Sequence, residues 1–386
     1  LTANTFFHFF PTMPTQFIDI ARSLCRVPTA PFHEHFALDH VRSFCAKRPK
    51  VKLSSDPHGN LFLLYDGGNQ KQGDLLVMTA HLDHPGLIWQ ETLALGRSLF
   101  QILGGVDLSQ ALKSDVKIYD LHRPATQRGW RGKIIDTTPV KGARYPLLEI
   151  ESTSNCSGGP GTFAMWDVPP LTLRGNRLSG RALDDLAGAS VGLSVLDQLH
   201  QQRSSARASL LLTRAEEVGF VGMLAAIENK FTRRRAFYIN IECSSVKAGA
   251  TQGAGPIVRV GDRISIFDPQ ISGGLTALAD DLREADASFN YQRKLMDSGA
   301  CEATALMQAG YRSGAVALPL GNYHNASPGK KLAAENIDLR DAQRLVQLLT
   351  HLAQQGIGPA TEQSGSKLDA MLTSRLQKYR TKLDHP

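Results

Sequence analysis

The sequence predicts an α/β fold: a mostly parallel central sheet flanked by helices, interrupted by an inserted small β-barrel or PDZ-like domain. Three observations carry this expectation. Over most of the 386 residues, short apolar runs alternate with longer stretches of helical spacing, the pattern of strands joined by crossover helices. Between about 92 and 175 the helical period is missing, and short strand-like runs are separated by Gly, Pro, Asn and Ser. The length also exceeds one small core and suits either two domains or one large α/β domain carrying an insertion. The expected division is 13–91 and 176–355 for the two parts of the α/β domain, 92–175 for the β-rich insertion and 356–386 for a C-terminal extension.

Taken in order, "FIDIARSLCRV" (17–27) and "FALDHVRSFCAKR" (36–48) have helical spacing, and "NLFLLYDG" (60–67) and "DLLVMTAHLD" (74–83) read as neighbouring strands. The insertion offers "DVKIYDL", "GWRGKIIDTT", "PLLEIEST" and "GTFAMWDVPP" as short strands. After "ALDD" comes "LAGASVGLSVLDQLHQQ" (186–202), whose small residues suit a helix pressed closely on a sheet. Strand "ASLLLTRA", helix "VGFVGMLAAIENK", strand "AFYINIE", helix "EATALMQAG" and strand "SGAVALP" follow. The helix "NIDLRDAQRLVQLLTHLAQQ" then closes the pattern with Asn336 as its candidate cap. The polar tail after about 355 is expected to be partly loose.

Composition excludes several function classes. With 42% hydrophobic and 20% charged residues the chain is an ordinary globular one, and no apolar run approaches the roughly 20 residues of a membrane span. The opening "LTANTFFHFFPTMPTQF" has no basic n-region and no cleavage site, so no signal peptide is expected and Met13 is a candidate start. Five cysteines, Cys25, Cys45, Cys156, Cys243 and Cys301, are odd in number and show no C-x-x-C spacing. They read as free thiols of a cytoplasmic protein. The net charge of +7 is mild, and the basic run holding Arg233, Arg234 and Arg235 has no interleaved aromatics, so it reads as a solvated surface and no nucleic-acid partner is expected. G-x-G-x-x-G and P-loop motifs are absent.

Function is signalled by where the polar residues fall. One apolar run ends in His81 with Asp83 two residues on, where both share a face of an extended chain. A second ends in the pair Glu216 and Glu217, a third in Glu242, and a fourth in the loop "GNYHN" with His324. Asp184 and Asp185 add carboxylates at the mouth of the small-residue helix. Open parallel sheets bind ligands at the carboxyl ends of their strands, and so many such residues on one edge rarely follow from folding needs. Two adjacent glutamates raise each other's pKa, so a cation beside them is one explanation. A helix N-terminus is the other. The imidazoles and carboxylates suit zinc, with cobalt or manganese as alternatives, and exceed one tetrahedral site. Two ions sharing a bridging carboxylate fit better and activate a water between them, which leaves one glutamate of the pair free as general base.

In sequence, "AHLDHPGL", "SGRALDDLAG", "EEVGFVGM", "NIE", "GAGP" and a late histidine stand in one order between about 75 and 330. This ordered set resembles the dinuclear zinc aminopeptidases typified by glutamyl aminopeptidase and the tetrahedral aminopeptidases. The resemblance implies a phosphorylase/hydrolase-like α/β domain with a β-barrel or PDZ-like lid that also serves assembly. It implies His81, Asp184, Glu217, Glu242 and His324 as ligands of two divalent ions, with Asp184 bridging. Glu216 would be the general base, and Asp83 the catalytic-site aspartate that orients His81. Leu186 stands where that family commonly has Arg, Glu302 where it has Asp, and "LPLGNYHN" departs from its usual ending; these departures are expected to touch the substrate surroundings, whereas Glu242, which stands where the family more often has Asp, is expected still to reach an ion.

The activity implied is removal of N-terminal residues from peptides by a metal-bridging hydroxide, in a protein with peptide substrates, no membrane partner and a homo-oligomeric assembly. A related two-metal amidohydrolase, a deacylase or carboxypeptidase, is the alternative. A degenerate binding protein on the same fold is disfavoured by the complete ligand set.

Overall fold

The computed structural model describes residues 14–68, 73–106, 111–123, 129–138, 146–153, 158–329 and 331–384. Met13, the aromatic run before it and Cys156 lie outside the described residues. The chain opens with helices α1 (Pro14–Leu24) and α2 (His35–Ala46) and strands β1 (Val51–Ser55), β2 (Leu61–Asp66) and β3 (Leu75–His81). Strands β4 (Gly86–Ala94), β5 (Arg97–Leu103), β6 (Asp115–Asp120), β7 (Trp130–Thr138), β8 (Leu147–Ser152) and β9 (Thr162–Trp166) then close into a barrel of order β4-β5-β8-β7-β6-β9. Its interior is filled by Leu87, Phe100, Ile118, Ile134, Ile150 and Trp166, among others. Closure removes sheet edges that would otherwise invite pairing with other chains. The insertion is therefore a barrel, and its first two strands are ones the sequence patterns did not name.

Strands β10 (Leu171–Arg174) and β11 (Arg177–Gly180) lead to helix α3 (Leu183–Gln201), strand β12 (Arg207–Thr213), helix α4 (Val221–Glu228) and strand β13 (Ala236–Ser245). There follow β14 (Ile257–Asp262), α5 (Pro269–Ala285), β15 (Gln292–Met296), α6 (Glu302–Gln308), β16 (Arg312–Leu320), β17 (Glu335–Asp338), α7 (Leu339–Gln355) and α8 (Ile357–Asp384). The main sheet has eight strands in the order β1-β2-β12-β3-β13-β16-β14-β15. Its centre, β12, β3, β13 and β16, is parallel, while β1, β2 and the β14/β16 contact are antiparallel. Helix α3 lies against this parallel centre. Its small residues keep almost every side chain from Leu183 to Leu196 buried, as close helix-on-sheet packing requires.

Local chemistry moves three expected boundaries. Asn336 is no helix cap. It sits in β17, which pairs with β11, and Asp338 caps α7 by accepting from the Arg340 amide. The tail forms a helix, α8, of 28 residues, whose start is anchored by buried Ile357 and Ala360 and whose side chains from Lys367 to Leu383 are exposed. Glu242 does not end its strand, since β13 continues to Ser245.

The turn after β12 is held by a close approach of α4. Gly222 donates to the Arg214 carbonyl at 2.9 Å, and Asn60 bridges the same two residues, donating to Gly222 O and accepting from the Arg214 amide. A Cβ on Gly222 would lie 2.2 Å from Arg214 O, a backbone atom that cannot swing aside. Helix propensity alone would make Gly222→Ala stabilising by up to about 1 kcal/mol. Overlap with the backbone outweighs it, so the variant is expected to lose about 1–3 kcal/mol in urea unfolding, and a gain in stability would refute the close approach.

Candidate metal centre

The parallel centre of the sheet brings the candidate residues to one edge. Thr213 at the end of β12 is paired with His81 at the end of β3. Glu242 lies on β13, the other neighbour of β3. His324 follows β16, which pairs with β13. Asp184 enters from the start of α3, where the backbone is not yet helical (φ −83°, ψ 105°).

Distances sort these side chains into two groups around Asp184. His81 Nε2 is 3.5 Å from Asp184 Oδ1 and 4.0 Å from Glu242 Oε2. His324 Nε2 is 3.5 Å from Asp184 Oδ2 and 3.1 Å from Glu217 Oε1. The ligand atoms of His81, Asp184 and Glu242, and those of Asp184, Glu217 and His324, each fall within 4.8 Å of one another. Glu216 Oε2 is 3.8 Å from His81 Nε2, and the ligand atoms of His81, Glu216 and Glu217 also fall within 4.8 Å of one another. Ala215, just ahead of the pair, takes a left-handed backbone (φ 52°). That conformation costs about 1–3 kcal/mol in a residue other than glycine, and it is held by the Ala215 amide donating to buried Glu34 Oε1 at 3.0 Å. The pair lies in a turn ahead of α4, which begins only at Val221, so a helix N-terminus does not explain it.

Hydrogen bonding shows that the cluster fits cations. His81 Nδ1 faces the Asp83 carbonyl at 3.1 Å, and His324 Nδ1 faces the Gly105 carbonyl at 2.5 Å. A carbonyl only accepts, so each Nδ1 carries the proton and each Nε2 is directed at carboxylate oxygens. Asp184 Oδ1, Glu217 Oε1, Glu242 Oε1 and His324 Nε2 are buried without a hydrogen-bond partner. Such groups are expensive to leave unmet. Two charged carboxylates within 4.8 Å of one another would repel by at least roughly 3 kcal/mol at an effective dielectric of about 20, and several such pairs would rival the whole stability of a domain. Divalent ions between them remove the penalty with an N/O donor set that suits zinc, cobalt or manganese.

The pKa directions express the same strain. Burial, with the charges of Glu242, Glu217 and Asp83, pushes Glu216 well up, although His81 opposes them. Burial raises Glu242 to about 8, again against His81. For His81 and His324 burial alone would lower the pKa, but the facing Glu216, Glu217 and Asp184 carboxylates overturn it and carry both well up.

Around the cluster stands a supporting layer, of which the sequence patterns point to Asp83 and Asp185 but not to His84 or Glu335. Asp83 is near His81, its Oδ1 3.5 Å from Nδ1, but its main bonds lie elsewhere: Oδ1 and Oδ2 accept from the Glu216 and Glu217 amides at 2.9 and 3.0 Å. His84 joins the Asp184 carbonyl at 2.6 Å to Asn325 Oδ1 at 3.1 Å. Asp185 caps the start of α3 by accepting from the Gly188 amide at 3.1 Å. Glu335 accepts from the amides of Leu183, Asp184 and His324. The departures at Leu186 and Glu302 do not face a substrate surface as expected. Leu186 is in the main core, and Glu302 is fully buried.

Fold and cluster define a class of protein, the metal-dependent hydrolases with a site at strand ends. The family model of the M42 glutamyl aminopeptidases matches residues 151–348, and the chain belongs to that family. Its fold is shared with an aminopeptidase of the archaeon Desulfurococcus kamchatkensis (TM-score 0.74, 22% identity, covering 91% of this chain and 98% of that one). It is also shared with a TET aminopeptidase of a marine-sediment Thaumarchaeota archaeon (0.73, 18%, 90% and 99%). A third likeness is to the Pyrococcus horikoshii TET1 peptidase, described as assembling into a tetrahedron or a large octahedral shell (0.68, 20%, 87% and 99%). At these identities the likeness is one of fold.

Asp83→Ala would strip both acceptors from the Glu216 and Glu217 amides. At about 1–3 kcal/mol per unsatisfied buried donor, the variant is expected to lose at least about 2 kcal/mol in denaturant unfolding. A loss below 0.5 kcal/mol (roughly the scatter of surface substitutions) would show that Asp83 does not carry that turn.

Proposed function

We infer that the protein is a metal-dependent aminopeptidase that removes N-terminal residues from peptides, using two divalent ions that share Asp184. The observation that carries this is the placement of Asp184, whose two oxygens are each 3.5 Å from a different imidazole. His81 and Glu242 would complete one ion's protein ligands, and Glu217 and His324 the other's. Bound ions would supply Lewis-acid polarisation of the scissile carbonyl and a water acidic enough to be deprotonated near neutral pH.

The chain's own part is proton handling and aim. Glu216 is the general base: its Oε2 takes the proton of the attacking water and returns it to the leaving amine. The raised pKa of this carboxyl makes it ready to hold a proton, and nearby cations draw it back toward neutrality. Asp83 acts through the backbone of the glutamate pair and through His81. The inserted barrel, which begins at Gly86, serves as a lid; the Gly105 carbonyl, in the loop after β5, holds the His324 ring. The oligomeric neighbours, one a dodecamer and one a tetrahedral or octahedral shell, support a homo-oligomer here as well. Unpaired Cys25, Cys45, Cys243 and Cys301 accord with a cytoplasmic setting, and among the described residues no helix is long and apolar enough to cross a membrane.

Glu216→Gln is expected to keep its metal content and lose about 10²- to 10⁴-fold in kcat on amino-acid arylamides; near-normal turnover would remove Glu216 from the role. Chelation should abolish hydrolysis and lower the melting temperature, because ions bound only by the native state stabilise it by about 2.7 kcal/mol at a hundredfold excess over Kd. Zinc, cobalt or manganese should restore both. Faster release from N-acyl amino acids or from peptide C-termini than from free N-termini would favour the deacylase or carboxypeptidase reading.

A further inference from the structure

A ligand is only as well aimed as the backbone that bears it, and two of the proposed ligands sit on backbone that no helix or strand ladder secures. Asp184 has extended dihedrals at the mouth of α3, where peptide N–H groups lack intrahelical acceptors. His324 is left-handed (φ 51°) between Asn322 (φ 55°) and Asn325 (φ 62°). Asparagine tolerates that region, but histidine does so at a cost of about 1–3 kcal/mol.

One side chain secures both. Glu335, fully buried, accepts from the Leu183 and Asp184 amides on Oε2 at 2.7 and 3.1 Å. On Oε1 it accepts from the His324 amide at 2.9 Å. With both oxygens engaged from different segments, the carboxylate cannot rotate without breaking a bond. Its own backbone is fixed in turn, since β17 pairs Glu335 with Gly180 of β11, the strand that leads into α3.

We propose that Glu335 is a positioning residue for the metal centre, setting the distance between Asp184 and His324 so that the second ion's ligands meet. It touches neither substrate nor ion and acts through three backbone amides. The proposal rests on the two-ion reading, and the loss of such supporting bonds typically weakens a metal site about 10- to 100-fold.

The test is calorimetric zinc titration of the full chain after chelator dialysis. Wild type is expected to bind two zinc ions. Glu335→Gln should weaken the His324 half about 10- to 100-fold, with a smaller change at the His81 half, so that the isotherm splits into a tight and a weak step. Glu335→Asp keeps the charge but not the reach, and should behave like Glu335→Gln. Wild-type affinities in Glu335→Gln, or full rescue by Glu335→Asp, would overturn the clamp while leaving the two-ion reading intact. Fewer than two ions in wild type would overturn both. Should neither variant fold, hydrogen exchange on wild type decides: the Leu183, Asp184 and His324 amides should be strongly protected, and loop-like exchange at these three would refute the assignment.

Discussion

The burial of carboxylates at one edge of the sheet is the constraint on which the rest of the structure depends. Asp83, Asp184, Asp185, Glu216, Glu242, Glu302 and Glu335 are all buried within one region. Such a set is costly unless its groups find partners, and two kinds of carboxylate can be told apart in it. Carboxylates of the outer layer, Asp83 and Glu335, are saturated by backbone N–H donors, and Asp185 caps its helix. Those of the inner layer, Asp184, Glu217 and Glu242, keep oxygens free of any protein donor. The outer layer belongs to the fold, and the inner layer is the one proposed to hold cations.

That separation explains why the site can be both rigid and reactive. The proposed ligands come from the ends of different strands and from loops with left-handed residues at 215, 322, 324 and 325, conformations that survive only when their surroundings over-determine them. Glu34 holds the turn at Ala215, His84 and Asn325 tie the Asp184 carbonyl to the His324 loop, and Gly105 of the barrel fixes the His324 ring. The inserted barrel is thus coupled to the centre by a hydrogen bond to one of the proposed ligands.

Much of this was legible in sequence, and the limits have physical causes. Parallel strands are buried on both faces and read as continuous apolar runs, so β3, β12, β13 and β16 stood out, and the polar residues at their ends with them. Strand β4 does not, because bulges at Trp89/Glu91 and Thr92/Ala94 break its alternation. Helix α5 was passed over although Asp268 and Pro269 mark its start. The supporting layer left almost no signal. Glu335 stands in "AAENID" ahead of an amphipathic helix, where a carboxylate looks like part of a helix start, and only the pairing of β17 with β11 turns it inward. His84 lies three residues after His81 and was hidden by its more conspicuous neighbour. Roles that depend on backbone amides from distant segments have no spacing rule to betray them.

Anomalous diffraction at the zinc edge, from crystals grown with the metal, tests the central claim most directly. Two peaks should flank the Asp184 carboxylate, one beside His81 and Glu242 and the other beside Glu217 and His324, with Glu216 bound to neither. A single peak, or zinc bound away from Asp184, would contradict the account of these buried carboxylates.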